Sequence, residues 1–145
     1  MRVDSRPAMI LVVEDEILIS EMIADAFTER GFDVQTVANA AEAVVRLSFD
    51  PQIDILFTDV NLGGMDGAAL AEQARELRPD LPVIYASGRW SLLEALRDIP
   101  RTAILRKPFT LTRACEAAEA LLDMAPLIAE RDDVTTAPSI EERGA

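Results

Sequence analysis

Short apolar runs alternate with stretches of helical periodicity five times along this chain, and nearly every run ends on a charged or hydroxyl-bearing residue. Met9-Ile10-Leu11-Val12-Val13 is continuously apolar and stops at Glu14-Asp15, the pattern of a strand covered on both faces. Ile19, Met22, Ile23, Ala26 and Phe27 follow at helical spacing, and Gly31 supplies a stop. Val34 to Val37 reads as a short second strand. Asn39 and Glu42 stand at the N-cap and third positions of a helix whose apolar stripe is Ala43, Val44 and Leu47. Ile53 to Thr58 predicts a third strand, closed by Asp59. Asp66-Gly67 opens a helix that ends at Arg78-Pro79. Pro82 to Ala86 is a strand stopping at Ser87-Gly88, and Leu92 to Leu96 a shorter, weaker helix. Thr102 to Leu105 is the last strand, ending at Arg106-Lys107-Pro108, after which Thr110 caps a helix carrying Leu111, Ala114, Cys115, Ala118, Leu121 and Leu122. Five strands in alternation with five helices predict an α/β fold, a five-stranded parallel sheet doubly wound with helices on both faces.

The 145 residues amount to about one domain. We expect an N-terminal extension over residues 1–7, a single domain over 8–125, and a flexible acidic tail over 126–145. The tail begins at Pro126, loses any sustained period, and has room for a short helical turn near Leu127-Ile128. There is no internal repeat. Half of the residues are hydrophobic, enough to bury a core, yet the longest apolar run is Ala8 to Val13, far short of the roughly 20 residues a membrane span needs. Asp4 and Pro7 precede that run and deny it the form of a signal peptide. A soluble, cytoplasmic protein is therefore expected.

Charge and residue usage exclude further classes. Fourteen basic against 26 acidic residues leave a net charge of −12, which argues against nucleic acid or an anionic membrane surface as a partner. The single Cys115 cannot form an internal disulfide. No histidine is present, so histidine metal sites and Ser-His-Asp triads are out. Chemistry must come from carboxylates, hydroxyls, lysine or a metal.

In an open α/β sheet, ligands bind beyond the C-terminal ends of the strands. Glu14 and Asp15 follow the first strand, Asp59 the third, Ser87 the fourth and Lys107 the fifth. Two carboxylates about 4 Å apart repel by roughly 4 kcal/mol at an effective dielectric of 20. Three such groups need raised pKa values or a cation, and an all-oxygen, watery site suits Mg²⁺, with Mn²⁺ able to substitute. Asp59 is then a candidate nucleophile, with Lys107 and the metal offsetting the charge of an incoming phosphoryl group and Ser87 in position to hydrogen-bond one of its oxygens.

Glu14-Asp15, Asp59, Ser87-Gly88 and Lys107-Pro108-Phe109, in this order and spacing, resemble the receiver domain of two-component response regulators over Ala8 to Ala125. The resemblance implies a flavodoxin-like strand order 2-1-3-4-5. It implies that Asp59 takes a phosphoryl group from a histidine of a sensor histidine kinase or histidine phosphotransfer protein. It also implies that Glu14 and Asp15 hold Mg²⁺ directly or through water, with Asp59 and the backbone carbonyl of Asn61. Lys107 would pair with the phosphoryl group, and the Lys107-Pro108 bond would be cis. Asn61 and Arg89 would border the path of the hydrolytic water.

Two departures from the family pattern stand out. The acidic pair is more often two aspartates than Glu-Asp. Ile104 stands three residues before Lys107, where the family usually carries an aromatic. Tyr85-Ala86-Ser87-Gly88-Arg89-Trp90 instead resembles a receiver subclass with a Phe-Ala-Thr-Gly motif, a nearby aromatic and no aromatic on the fifth strand. This makes Tyr85, Arg89, Trp90 and Ile104 neighbours of the switch, and we expect the Trp90 loop and the helix after it to move when Ser87 engages the phosphoryl group.

Taken singly, each feature has an ordinary structural reading. Asp15 could cap a helix, Asp59-Val60-Asn61 and Ser87-Gly88 could be turns, and Lys107 could be a solvated side chain. Their convergence at four strand ends favours a site. The resulting expectation is a single-domain response regulator, not an enzyme beyond its own phosphorylation and dephosphorylation, that acts on a downstream protein target or passes phosphate along a relay. A phosphorylation-dependent dimer is compatible with it. The alternative is a Mg²⁺-dependent phosphohydrolase with an aspartyl-phosphate intermediate. Haloacid dehalogenase-like enzymes carry Asp-x-Asp after the first strand, whereas here the candidate nucleophile follows the third and Asn61 stands two residues on.

Overall fold

The computed structural model of the protein describes residues 6–61 and 67–134. Its elements run β1 (Met9–Val13), α1 (Ile17–Glu29), β2 (Asp33–Val37), α2 (Ala40–Phe49), β3 (Ile53–Asp59), α3 (Gly67–Leu77), β4 (Val83–Ser87), α4 (Trp90–Leu96), β5 (Thr102–Arg106) and α5 (Leu111–Val134). All strands pair in parallel, in the order β2-β1-β3-β4-β5. The alternation read from the sequence is therefore the alternation of the fold, with strand order and direction as expected.

Period-two alternation along the strands separates two core layers. Leu11, Val13, Leu56, Val83 and Tyr85 face α2, α3 and α4 and meet Ala43, Leu47, Leu70, Ala74 and Leu96. Ile10, Val12, Ile55, Phe57, Ile84 and Ala86 face the other way, toward Ile23 and Phe27 of α1 and Ala114, Ala118 and Leu121 of α5. Phe27 is the hinge of that second layer, with edge-on contacts to Phe32 and Phe57. Cys115 is buried there as plain core.

Local signals set most element ends. Gly31 has φ 97°, a left-handed turn that closes α1 and that a side chain would resist. Asn39 accepts the N–H of Glu42 at 2.9 Å, and Glu42 reaches back to the N–H of Ala38 at 3.3 Å. Thr110 accepts the N–H of Arg113 at 3.1 Å, starting α5. Asp66, expected to open α3, lies outside the described residues.

Two expectations are corrected. In α1 the buried face is Ser20, Ile23 and Phe27, while Ile19 and Met22 are exposed. Apolar residues occupy more than one face of the first turns of this helix, and the fit of Phe27 against β3 selects the one that turns inward. The helix before Pro126 does not end there: α5 continues to Val134. Once a helix is propagating, each further residue adds a hydrogen bond without a new nucleus, and Leu127, Ile128, Glu130 and Arg131 are compatible with helix. Residues 135–145 lie outside the described residues. Among those described, no helix is long and apolar enough to cross a membrane.

Candidate functional site

Parallel strands that all end on one rim bring β1, β3, β4 and β5 to a common surface. Asp59 is the last residue of β3 and is only 6% exposed. Its two oxygens are already engaged: Oδ1 accepts the backbone N–H of Asn61 at 2.9 Å, and Oδ2 accepts Lys107 Nζ at 2.8 Å. Lys107 reaches this carboxylate from beyond β5, where its backbone N–H donates to Ser87 O at 2.9 Å. The Lys107-Pro108 peptide bond is cis, as the resemblance implied.

Glu14 is buried beside β1, and its Oε2 accepts the N–H of Glu16 at 3.1 Å. Burial above all, then the nearby Asp59 charge and a hydrogen bond with Asp15, push its carboxyl above the usual range. Asp15 is exposed at the rim. It is not a helix cap, because the N-cap position of α1 belongs to Glu16, which makes no side-chain capping bond. Asn61 is exposed immediately after β3. Ser87, at the end of β4, is 2% exposed, and its Oγ accepts the N–H of Arg89 at 3.0 Å, leaving its own proton to donate outward.

The remaining residues named from sequence fall around this centre. Tyr85 is buried on β4 and pairs in register with Ile104 on β5, so both point to the α2–α3–α4 side. Arg89 is exposed at the start of α4. Trp90 is the first residue of α4, and its side chain lies outside the described residues. The sequence reading took Gly67 only for a helix opener. Its N–H donates to Val60 O at 2.7 Å, and it abuts the backbone of Asp59 and Val60. A glycine following the third strand is the one signal that pointed to it.

Chemically, this is a buried carboxylate oriented through both oxygens, flanked by an ammonium, a hydroxyl donor and a second carboxyl pair. Among the described residues no three His, Cys, Asp or Glu side chains stand close enough to grip a metal by themselves. A cation here would complete its shell from main-chain carbonyl and water, the mode Mg²⁺ favours, and would offset the Asp59 charge that adds to the effect of burial on Glu14. The donor set fits such an ion.

Comparison with known proteins points in one direction. The family model described as the response regulator receiver domain matches residues 10–119. The chain is 34% identical over 115 residues to the response regulator receiver protein CpdR of Brucella abortus, covering 78% of this chain and 95% of that one. It is 32% identical to the DNA-binding transcriptional regulator NtrC of Azospirillum brasilense over 118 residues, but spans only 24% of that longer protein. Among solved structures, a response regulator receiver protein from Sinorhizobium medicae superimposes with a TM-score of 0.74 at 33% identity, over 81% of this chain and 96% of the other.

Proposed function

This chain belongs to the response regulator receiver family, and on that premise we propose that Asp59 is its phosphoacceptor. The observation that carries the assignment is the 2.8 Å pairing of Lys107 with a buried Asp59 whose other oxygen is held by the Asn61 N–H. Both contacts orient the carboxylate at the rim, where a phosphoryl donor can approach in line.

In the transfer, an Asp59 oxygen forms the new O–P bond while the bond from phosphorus to the donor breaks. The donor is a phosphohistidine of a sensor histidine kinase or histidine phosphotransfer protein, and its imidazole leaves with the electron pair of the broken N–P bond and takes up a proton. Lys107 follows the charge from carboxylate to phosphoryl oxygen, and the Ser87 hydroxyl donates to a second oxygen. Glu14, Asp15, Asp59 and the Asn61 carbonyl would hold Mg²⁺, directly or through water. Bound there, it supplies neutralisation of the phosphoryl and carboxylate charge. The output is a change in how the protein binds a downstream protein target, or onward transfer in a relay. The phosphohydrolase alternative finds no support in the comparisons.

The test is intact-mass analysis after incubation with acetyl phosphate, with and without Mg²⁺, on the parent and Asp59→Ala. The expected result is a Mg²⁺-dependent, base-labile gain of one phosphoryl group that the variant lacks. Labelling that persists in Asp59→Ala removes the assignment. Arg89, next to the Ser87 loop, is proposed to border the route of the hydrolytic water. Arg89→Ala should therefore change the half-life of the phosphorylated form, and an unaltered decay denies it that place.

A further inference from the structure

Away from the phosphorylation rim, α3 and α4 leave a cavity of about 330 Å³ over β4. Ala68, Ala71, Leu96 and Ile99 make its apolar walls. Tyr85 lines it from the sheet. That residue is only 2% exposed, and its hydroxyl, at the cavity wall, makes no hydrogen bond to any described residue. With no described side chain or carbonyl answering it, a hydroxyl in the wall of a cavity is open to a water or a ligand. Arg75 lies close by but does not answer it. Its guanidinium is spent on the carbonyls of Leu81, Pro100 and Arg101 and on the Thr102 hydroxyl, at 2.9 to 3.3 Å. Burial raises the phenol's pKa, so the hydroxyl keeps its proton at neutral pH.

Two carboxylates outnumber the one guanidinium, that of Arg75, around the cavity. Glu72 and Glu76 stand four residues apart on α3, on one face of the helix, and both line the opening. Neither forms an ion pair with a described residue. A second copy of this chain, itself at −12, would meet charge repulsion at this place.

We propose that this cavity is a docking site for a basic segment of a partner protein, which inserts a tryptophan so that its indole N–H meets the Tyr85 hydroxyl oxygen while flanking Lys or Arg residues pair with Glu72 and Glu76. An indole matches the cavity's composition: a large apolar body with one polar atom. The volume lies at the lower end of the range for small-ligand pockets, which suits one anchoring side chain and not an extended ligand. The site stands apart from Asp59, so it holds or fails independently of the phosphoacceptor assignment.

The experiment is an amide-shift NMR titration of the full chain with the peptide Ac-Lys-Trp-Lys-NH2, with Ac-Glu-Trp-Glu-NH2 as the charge-reversed control. Saturable shifts centred on Ala68, Ala71, Tyr85, Leu96 and Ile99 are expected, with the control peptide binding more weakly. Ala68→Leu, at a half-exposed helical position that tolerates a larger side chain, should abolish those shifts. Tyr85→Phe keeps the ring and should weaken binding roughly three- to tenfold by loss of one hydrogen bond. Each free variant's own amide spectrum reports whether it is folded. Shifts scattered over the acidic surface, binding that survives Ala68→Leu or is unaltered in Tyr85→Phe, equal binding of the two peptides, or no saturation would each overturn the proposal.

Discussion

A Cβ on Gly67 would collide with the carbonyl oxygen of Asp59 and stand 2.8 Å from the Cα of Val60. Both contacts are backbone atoms, so no side chain can swing aside. The helix start can press against the end of β3 only because nothing projects from it, and its N–H closes the contact on Val60 O. Gly67→Ala must push α3 away from Asp59, the proposed phosphoacceptor. We expect a loss of about 1–3 kcal/mol, in line with other overpacked sites, together with slower labelling of Asp59 by acetyl phosphate. Chemical denaturation and the labelling rate measure the two effects. A variant that is destabilised yet labels at the parental rate would limit Gly67 to packing. Asp59, Ser87 and Lys107 were legible in sequence because each ends a strand or follows it directly. Gly67 was legible only as a turn residue, since close approach between backbones is invisible until the chain is folded.

At the scale of elements, β2, α2 and the start of β3 are tied together by one carboxylate. Asp50 accepts the N–H of Gln52 at 2.9 Å and the side-chain amide of Gln35 at 2.7 Å, and Arg46 holds the other end of Gln35 at 2.7 Å. These bonds, the Gln52 N–H foremost, depress the Asp50 carboxyl below its usual value of 3.8. The folded state therefore binds its proton less readily than the unfolded chain does. Its stabilising contribution is complete above about pH 3.8 and is lost as pH falls through the lower folded value. Unfolding followed across the acid range should show this loss, and Asp50→Asn should flatten it. An acid limb identical in parent and variant would mean that the clasp adds nothing. Helix ends were readable wherever a cap residue acts locally, as at Asn39 and Thr110. The far end of α5 was not, because a proline is a strong local stop signal that a helix already under way can override.

Over the whole molecule, the strand-end rim that carries Asp59 is bordered by an apolar surface. Ile17, Leu18 and Met22 on α1 are 71%, 75% and 57% exposed, within a few residues of Glu14 and Asp15. Under the proposed function a phosphohistidine protein approaches this rim, and these apolar side chains are suited to meet its surface. Leu18→Ala combined with Met22→Ala should slow phosphotransfer from a histidine phosphotransfer protein by about tenfold, near 1.4 kcal/mol of contact energy, and leave acetyl phosphate labelling unchanged. Equal slowing with both donors would instead indict the site itself. The alternating pattern of apolar runs was enough to establish the doubly wound parallel sheet, and the polar residue ending each strand was enough to mark the rim. Those properties follow from periodicity and chain direction, which are local. Which face of α1 turns inward, that Tyr85 lines a cavity, and that Lys107 reaches Asp59 were decided by the tertiary structure alone. Each depends on how distant elements pack, and residues far apart in the chain set the space into which a side chain can turn.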